Sequence, residues 1–140
     1  MIKDTNDTST IQFQFNVPLN TSDIIRVFQS SGIRRPVHDP ERIQKMFLNS
    51  NLTASAWCGD RLVGLGRCVT DFEYCCYVSD LAVDLKFQKK GIGKTLLKLI
   101  KEKVGPKCTV LLHAAPEARA YYPKVGFEPS TDGFVIRREF

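Results

Sequence analysis

The sequence predicts an α/β fold of the α+β kind, in which helices flank a mixed, mostly antiparallel sheet. Three observations predict it. Residues 11–17 alternate apolar and polar side chains, as a strand with one buried face does. Residues 52–85 consist of strand-like runs separated by short polar turns, which is typical of an antiparallel meander. Residues 92–104 then repeat apolar side chains at helical spacing.

The chain begins with a polar stretch that has no period. We expect residues 1–10 to form a loose tail and residues 11–140 to form a single domain, since this length suits one core. A run of about 18 apolar residues, which a bilayer span needs, is missing, and the first ten residues do not have the basic start and apolar middle of a signal peptide. The sequence therefore predicts a cytoplasmic protein with no membrane partner.

Two helices are predicted between the first strand and the meander. Thr21 or Ser22 can cap the first of them, which ends near Gly32. The second is short, because Asp39 and the proline after it mark a helix start and residues 49–51 mark its end.

The elements after residue 51 complete the predicted order βααβββαβαβ. The strands of the meander, the helix after it and the elements that follow are predicted from apolar runs and turn residues. Their ranges are 52–58, 61–70 and 74–85 for the meander, 92–104 for the helix, 109–112 for a strand, 116–124 for a helix and 134–138 for a last strand.

Charge and cysteine content narrow the classes of partner. Residues 86–107 hold eight lysines and one glutamate, a balance of +7 against a net charge of +5 for the whole chain. A local basic segment on a mildly acidic body suits a compact polyphosphate as well as a nucleic acid. The five cysteines form no C-x-x-C pair, which argues against zinc or thioredoxin-like redox chemistry.

The junction between the meander and the next helix carries the strongest functional signal. Alternate glycines leave backbone N–H groups uncovered at the positive end of a helix dipole, and lysines surround them, so the pattern predicts a phosphate site. A P-loop would need glycine where Gln88 stands, and a Rossmann fingerprint would need glycine where Leu96 stands. A glycine turn that only redirects the chain is the structural alternative.

Two motifs together resemble a known family. Gln88, Gly91 and Gly93 match the pattern Gln/Arg-x-x-Gly-x-Gly/Ala, which resembles the pyrophosphate loop of the GNAT acetyltransferase superfamily. The segment 121–127, Tyr-Tyr-Pro-Lys-Val-Gly-Phe, resembles the second signature of that family, aromatic-Tyr-x-x-x-Gly-Phe. The resemblance covers residues 61–127 well and the two preceding helices loosely.

The resemblance implies a fold, an activity and a set of partners. It implies the GNAT acyl-CoA N-acyltransferase fold and the direct transfer of an acetyl group from acetyl-CoA, the co-substrate, to a primary amine of a small molecule or of a protein lysine or N-terminus. It implies no metal, no nucleic acid, and a possible homodimer. The coenzyme-binding residues that it implies lie on the strand end and the glycine turn: Leu81, Ala82, Val83, Gln88, Lys89, Lys90, Gly91, Ile92, Gly93, Lys94 and Thr95.

Tyr122 falls where the tyrosine of the family contacts the coenzyme sulfur, and it is the predicted general acid. A phenol of pKa ~10 stays protonated at pH 7 and can meet a departing thiolate whose conjugate acid has a pKa of ~8.5. The structural alternative is that Tyr121 and Tyr122 are core aromatics. One departure from the family pattern is Ala115, which stands where many members have an asparagine that contacts the coenzyme.

The acceptor amine must lose a proton, since an amine of pKa ~10.4 is neutral in only about one molecule in 2,500 at pH 7. Asp80 is the first candidate for the base, because it precedes the strand end that lines the predicted cleft. Glu73 is the second, and a chain of water molecules is a further alternative.

The acceptor is expected to lie under the loop of residues 31–39, which the resemblance places over the amine. Arg34, Arg35 and His38 make this loop cationic, and Arg67 is a further cation on a strand. These side chains weakly favour an acceptor with a carboxylate, and solvated surface arginines are the alternative.

Two rival functions remain open at this point. A nucleic-acid-binding module would use the lysine-rich helix, although the segment lacks interleaved aromatics. A non-catalytic acyl-CoA sensor would keep the coenzyme cleft without transferring the acyl group.

Overall fold

The computed structural model of the protein describes residues 10–140. The described chain forms five β-strands and three α-helices, joined by turns and short 3₁₀ segments. In chain order these are β1 (Ile11–Phe15), α1 (Thr21–Ser31), α2 (Pro40–Leu48), β2 (Leu52–Cys58), β3 (Arg61–Thr70), β4 (Cys75–Val83), α3 (Ile92–Val104) and β5 (Thr109–Leu111). The predicted fold class, a mixed α/β arrangement with a mostly antiparallel sheet flanked by helices, is confirmed.

The helix boundaries follow from local capping chemistry. Gly32 ends α1 in a left-handed conformation, with φ +82°. At the start of α2, the Asp39 side chain accepts a hydrogen bond from the backbone N–H of Arg42, and Pro40 occupies the first turn. At the start of α1 the predicted cap is wrong: Asn20 is the N-cap residue, it makes no side-chain cap hydrogen bond, and Thr21 and Ser22 lie within the helix. Both helices nevertheless begin and end close to where the sequence predicts.

The sheet has the strand order β1-β2-β3-β4-β5 and a helical layer on each face. Neighbouring strands are antiparallel except for β4 and β5, which are parallel. On one face α3 packs against the sheet through a buried apolar cluster that includes Leu96 and Ile100. On the other face α1 and α2 pack through a second cluster that includes Phe28 and Ile43.

A β-bulge in β4 decides which helical layer each of its side chains faces. Arg67 of β3 is opposite Asp80, whereas the next residue of β3, Cys68, is opposite Val78, so Ser79 is the extra residue. Before the bulge, Val78 belongs to the α3 cluster; after it, Ala82 belongs to the α1–α2 cluster. The bulge therefore turns Asp80 toward the α1–α2 layer.

The parallel pair of β4 and β5 opens into a cleft. The two strands are paired only at Cys75–Tyr77 and Thr109–Leu111. β4 continues to Val83, and within residues 10–140 no strand pairs with this last part of β4 on the β5 side. Side chains engage the carbonyl oxygens of Ser79 and Val83, and the other outward backbone groups of this edge are left for a ligand.

Two predicted elements after β5 are wrong. Residues 116–124 form no α-helix; they contain two 3₁₀ segments, Pro116–Ala118 and Tyr122–Val125. One reason is Pro123, the second-last residue of the predicted helix, which has no N–H to donate and clashes with the preceding turn, so that the last turn cannot be α-helical. The second segment instead begins at Tyr122 and has this proline in its first turn.

The predicted last strand, residues 134–138, is not part of the sheet. Phe134 and Ile136 are almost fully exposed, at 95% and 102%. The segment continues toward α2, where the Phe140 carbonyl oxygen accepts a hydrogen bond from Arg42 Nη2 at 3.0 Å. Strand-like alternation does not make a strand without a neighbouring edge to pair with, and β5 offers only three residues.

The predicted tail concerns residues that, apart from Thr10, lie outside the described part of the chain. Among residues 10–140, no helix combines the length and the apolar content that crossing a bilayer requires.

Candidate active site

The glycine turn at the start of α3 has the geometry of an anion-binding site. Gly91 precedes the helix in a left-handed conformation, with φ +82°, and Lys89 shares that conformation, with φ +62°. Within the described part of the chain, no side chain caps the first backbone N–H groups of α3. These groups carry the positive end of the helix dipole, and Lys89 and Lys94 are exposed beside them.

Two side chains of the predicted site hold the turn in place. Gln88 Nε2 donates a hydrogen bond to the Val83 carbonyl oxygen at 2.9 Å, which fastens the turn to the end of β4. Thr95 Oγ1 donates to the Gly91 carbonyl oxygen at 2.9 Å. Both groups therefore support the backbone of the turn.

The two sequence motifs meet at Gly93. A Cβ atom on this glycine would lie 3.2 Å from the Tyr121 hydroxyl, 3.8 Å from Val83 Cγ2 and 4.0 Å from Leu81 Cδ2. At Gly91, by contrast, a Cβ atom would meet nothing within 4 Å. The turn, the end of β4 and the tyrosine segment therefore meet at Gly93, and the space beside Gly91 is open.

The three residues at the end of β4 face different ways. Leu81 and Val83 are half-buried and pack against the α3 cluster, beside the glycine turn. Ala82 is buried in the α1–α2 cluster, so only its backbone faces the edge of the strand.

Tyr122 is half-buried at the side of this cleft. Its ring lies edge-on to Tyr121, with centroids 5.3 Å apart, and edge-on to Phe127, with centroids 5.6 Å apart. Burial raises the pKa of Tyr122 above its ordinary value, the neighbouring Tyr121 raises it further, and the positive charge of Arg35 opposes them. The phenol therefore stays protonated at neutral pH, as a general acid must.

Tyr121 is a residue of the cleft that the sequence did not single out. Its hydroxyl lies over Gly93, and burial raises the pKa of its phenol. The contact joins residues distant along the chain, so no local pattern reveals it. In the sequence, Tyr121 stands only as the aromatic residue before Tyr122 in the second motif, and the predicted chemical role belongs to Tyr122.

Asp80 lies at the bulge and is fully paired. Its Oδ1 accepts from Arg35 Nε and its Oδ2 accepts from Arg67 Nε, each at 2.5 Å, and none of its side chain is exposed. We call these three residues the bulge cluster. A fully buried carboxylate whose two oxygens each accept from a guanidinium presents no free oxygen to an amine, so this geometry argues against Asp80 as the base.

The bulge cluster joins the α1–α2 layer to β4. Arg35 Nη2 donates to the Ser79 carbonyl oxygen at 2.7 Å. Arg67 donates to Ser79 Oγ at 2.8 Å and to Ser50 Oγ at 2.9 Å, and its guanidinium lies over the Phe47 ring at 5.5 Å from the centroid. The loop after α1 and the end of α2 are therefore tied to the same strand position.

The remaining predicted candidates lie apart from the cluster. Glu73 is exposed in the turn before β4, where its carboxylate is 3.9 Å from the Lys107 ammonium group. Arg34 and His38 are exposed on the loop. Ala115, at the position of the asparagine in many GNAT members, makes no side-chain cap for the 3₁₀ segment that follows it.

The known proteins that resemble this chain in sequence all point to the same family. The family model described as an acetyltransferase (GNAT) domain matches residues 25–137. The chain is 30% identical over 129 residues to an uncharacterized ycf52-like N-acetyltransferase of Prochlorococcus marinus, covering 87% of this chain and 70% of the relative. It is 26% identical over 121 residues to GCN5-related N-acetyltransferase 1, chloroplastic, of Arabidopsis thaliana, covering 82% of this chain and 59% of the relative.

Solved structures share the fold. A probable acetyltransferase of methicillin-resistant Staphylococcus aureus, SA2161, superposes with a TM-score of 0.77 at 23% identity, covering 91% of this chain and 99% of that one. The aminoglycoside N-acetyltransferase AAC(6')-Iy, in complex with CoA, gives a TM-score of 0.68 at 11% identity, covering 93% and 95% of the two chains.

Proposed function

The chain belongs to the GNAT acetyltransferase family and is an N-acetyltransferase of that type, and we propose that it transfers the acetyl group of acetyl-CoA directly to a primary amine. The observation that carries this proposal is the meeting of three elements at Gly93: the glycine turn, the free edge of β4 and the tyrosine segment. The turn supplies an anion site, the strand edge supplies backbone groups and the tyrosines supply phenols.

The residues of the turn fit a diphosphate. The N–H groups at the start of α3, which no side chain of residues 10–140 caps, provide donors for it, and Lys89 and Lys94 provide positive charge. The space above Gly91 leaves room for the phosphate oxygens. We assign the pantetheine arm of the coenzyme to the free backbone edge at Leu81–Val83, and the solved neighbour that holds CoA supports this use of the fold.

The phenols have separate roles in this proposal. The coenzyme supplies an activated acetyl thioester. Tyr122, which its raised pKa keeps protonated at neutral pH, donates its proton to the leaving thiolate. Tyr121, whose hydroxyl lies over Gly93, donates a hydrogen bond to the coenzyme.

The proton of the amine takes a different route from the one first predicted. Asp80 is held by two guanidinium groups, so we assign it the role of a positioning residue for the loop after α1. Glu73 lies in the turn at the paired end of β4, away from the cleft. We therefore propose that a chain of water molecules takes the proton to solvent.

Two assays on the purified chain test this function. Calorimetric titration with coenzyme A measures binding, and release of free thiol from acetyl-CoA in the presence of a panel of primary amines measures transfer. We expect binding and amine-dependent thiol release. Binding without release for any amine would favour the acyl-CoA sensor, and a salt-sensitive gel shift with DNA or RNA, without coenzyme binding, would favour the nucleic-acid module.

The assembly and the compartment are further parts of the proposal. We propose that the protein works in the cytoplasm, as the sequence predicts, and that it pairs as a homodimer, as the family resemblance implies. The Arabidopsis relative is named chloroplastic, which makes the plastid the alternative compartment.

A further inference from the structure

The acceptor end of the cleft is marked by the bulge in β4. The glycine turn follows the end of β4 at Val83, so a coenzyme whose diphosphate binds there extends along the strand toward Ser79. β4 and β5 separate just after Tyr77, two residues before that bulge. An amine that attacks the thioester therefore approaches at the bulge, where Arg35 and Arg67 lie.

The bulge cluster carries more positive than negative charge. It contains two guanidinium groups and one carboxylate, which leaves a net charge of +1. Arg67 is 9% exposed and Asp80 is not exposed at all, whereas 25% of the Arg35 side chain is in contact with solvent. Arg35 is thus the more exposed of the two cations, and its positive charge acts on the Tyr122 phenol, so it lies on the tyrosine side of the cleft.

No free carboxylate in the loop of residues 31–39 neutralises this excess. Besides Arg35, the basic side chains of the loop are Arg34 and His38, both exposed. Asp39, which follows, uses its carboxylate to cap the start of α2, where the helix dipole is also positive. The nearest acidic group of the loop is thus already engaged.

From this charge balance we infer that the bulge cluster selects acceptors in which the reacting amine is the only cation, so that monoamines are substrates and polycationic amines such as polyamines and aminoglycosides are rejected. The inference rests on the proposed function. Arg35 acts as a specificity-determining residue, and Asp80 positions it by holding its Nε. A polycation would bring a second ammonium group close to an arginine that is already fixed by Asp80 and the Ser79 carbonyl.

The size of the effect follows from Coulomb's law. When a second cation lies about 7 Å from a net unit charge, at an effective dielectric constant of about 40, between the values for a protein surface and for water, the affinity of the amine falls roughly tenfold. Salt screens part of this repulsion, so the preference for monoamines should weaken as ionic strength rises.

The test compares two amines of equal length, pentylamine and 1,5-diaminopentane, by thiol release from acetyl-CoA. We expect kcat/KM for the monoamine to be about tenfold higher, although the diamine has two reactive ends. Arg35→Gln is expected to remove most of this preference, Arg35→Lys to restore it, and Arg34→Gln, on the exposed neighbour, to leave it unchanged. A protein that merely needed Arg35 for folding would lose activity on both amines in parallel, without a change in their ratio.

The outcomes separate the inference from the proposed function. Turnover of both amines with equal kcat/KM, or an unchanged ratio in an active Arg35→Gln variant, would overturn the selection of monoamines while leaving the acetyltransferase function intact. Absence of turnover with every amine would overturn the proposed function, and the inference with it.

Discussion

Replacing Asp80 by asparagine separates a structural role from a catalytic one. Asp80 accepts one hydrogen bond from each of two guanidinium groups, and its side chain is fully buried. An asparagine keeps one acceptor oxygen but turns an N–H₂ group toward the other guanidinium. Breaking a buried ion pair costs about 3 to 5 kcal/mol, so we expect the free energy of unfolding to fall by about 3 kcal/mol and Tm by about 10 °C.

The measurement is thermal and urea unfolding of Asp80→Asn, with kcat and KM determined well below the new Tm. The matched control is Asp132→Asn, on an exposed residue, which should change stability by less than about 0.5 kcal/mol. The positioning role predicts a raised KM for the acceptor and a modest change in kcat. An unchanged Tm combined with a kcat about 10² lower and a lost acidic limb in the pH profile would show that Asp80 is the base after all.

The remaining predictions concern the phenols and the glycine turn. Tyr122→Phe should lower kcat by roughly 10² with little change in coenzyme affinity, whereas its matched partner Tyr121→Phe should weaken coenzyme binding and spare kcat; steady-state kinetics and calorimetry distinguish them, and a reversed pattern would exchange their roles. Because burial raises the pKa of Tyr122, any loss of kcat from its deprotonation should begin only above about pH 10; a limb near pH 8 that disappears in Tyr122→Phe would contradict this. Gly91→Val should strain the turn, since φ is +82° there, and raise the Kd for coenzyme A by about tenfold or more. Asparagine tolerates this conformation better, so Gly91→Asn should bind coenzyme A more tightly than the valine variant. If calorimetry gives both variants the same Kd as the unaltered protein, the turn is not part of the coenzyme site.

Elements with a strong period and local caps were predictable from the sequence. Asp39 with Pro40 fixes the start of α2, and Gly32 fixes the end of α1, through contacts within a few residues. The glycine turn is local in the same sense, because the conformation at Gly91 and the free N–H groups depend on residues next to it.

The wrong predictions concern segments whose structure depends on a partner or on one residue. Residues 134–138 have the alternation of a strand, but they lie outside the sheet. Pro123 prevents an α-helical last turn in residues 116–124, which form 3₁₀ segments instead.

The contacts of Asp80 and Tyr121 could not be predicted from the sequence, because they too depend on residues outside the local pattern. One extra residue, Ser79, changes which layer Asp80 faces, and a bulge leaves no reliable signal in the pattern of the strand. The contact of Tyr121 with Gly93 depends on tertiary packing across the cleft. Residue types were therefore predictable at this site, but their partners were not.

The most direct test of the central claim is a titration of the ¹⁵N-labelled 140-residue chain with coenzyme A, followed by NMR of the backbone amides. If the turn grips the diphosphate, the amide signals of Gly91, Gly93 and Lys94 should shift most, together with those of Leu81 and Val83 on the strand edge. Large shifts confined to other surfaces, with these five amides unmoved at saturation, would contradict the account.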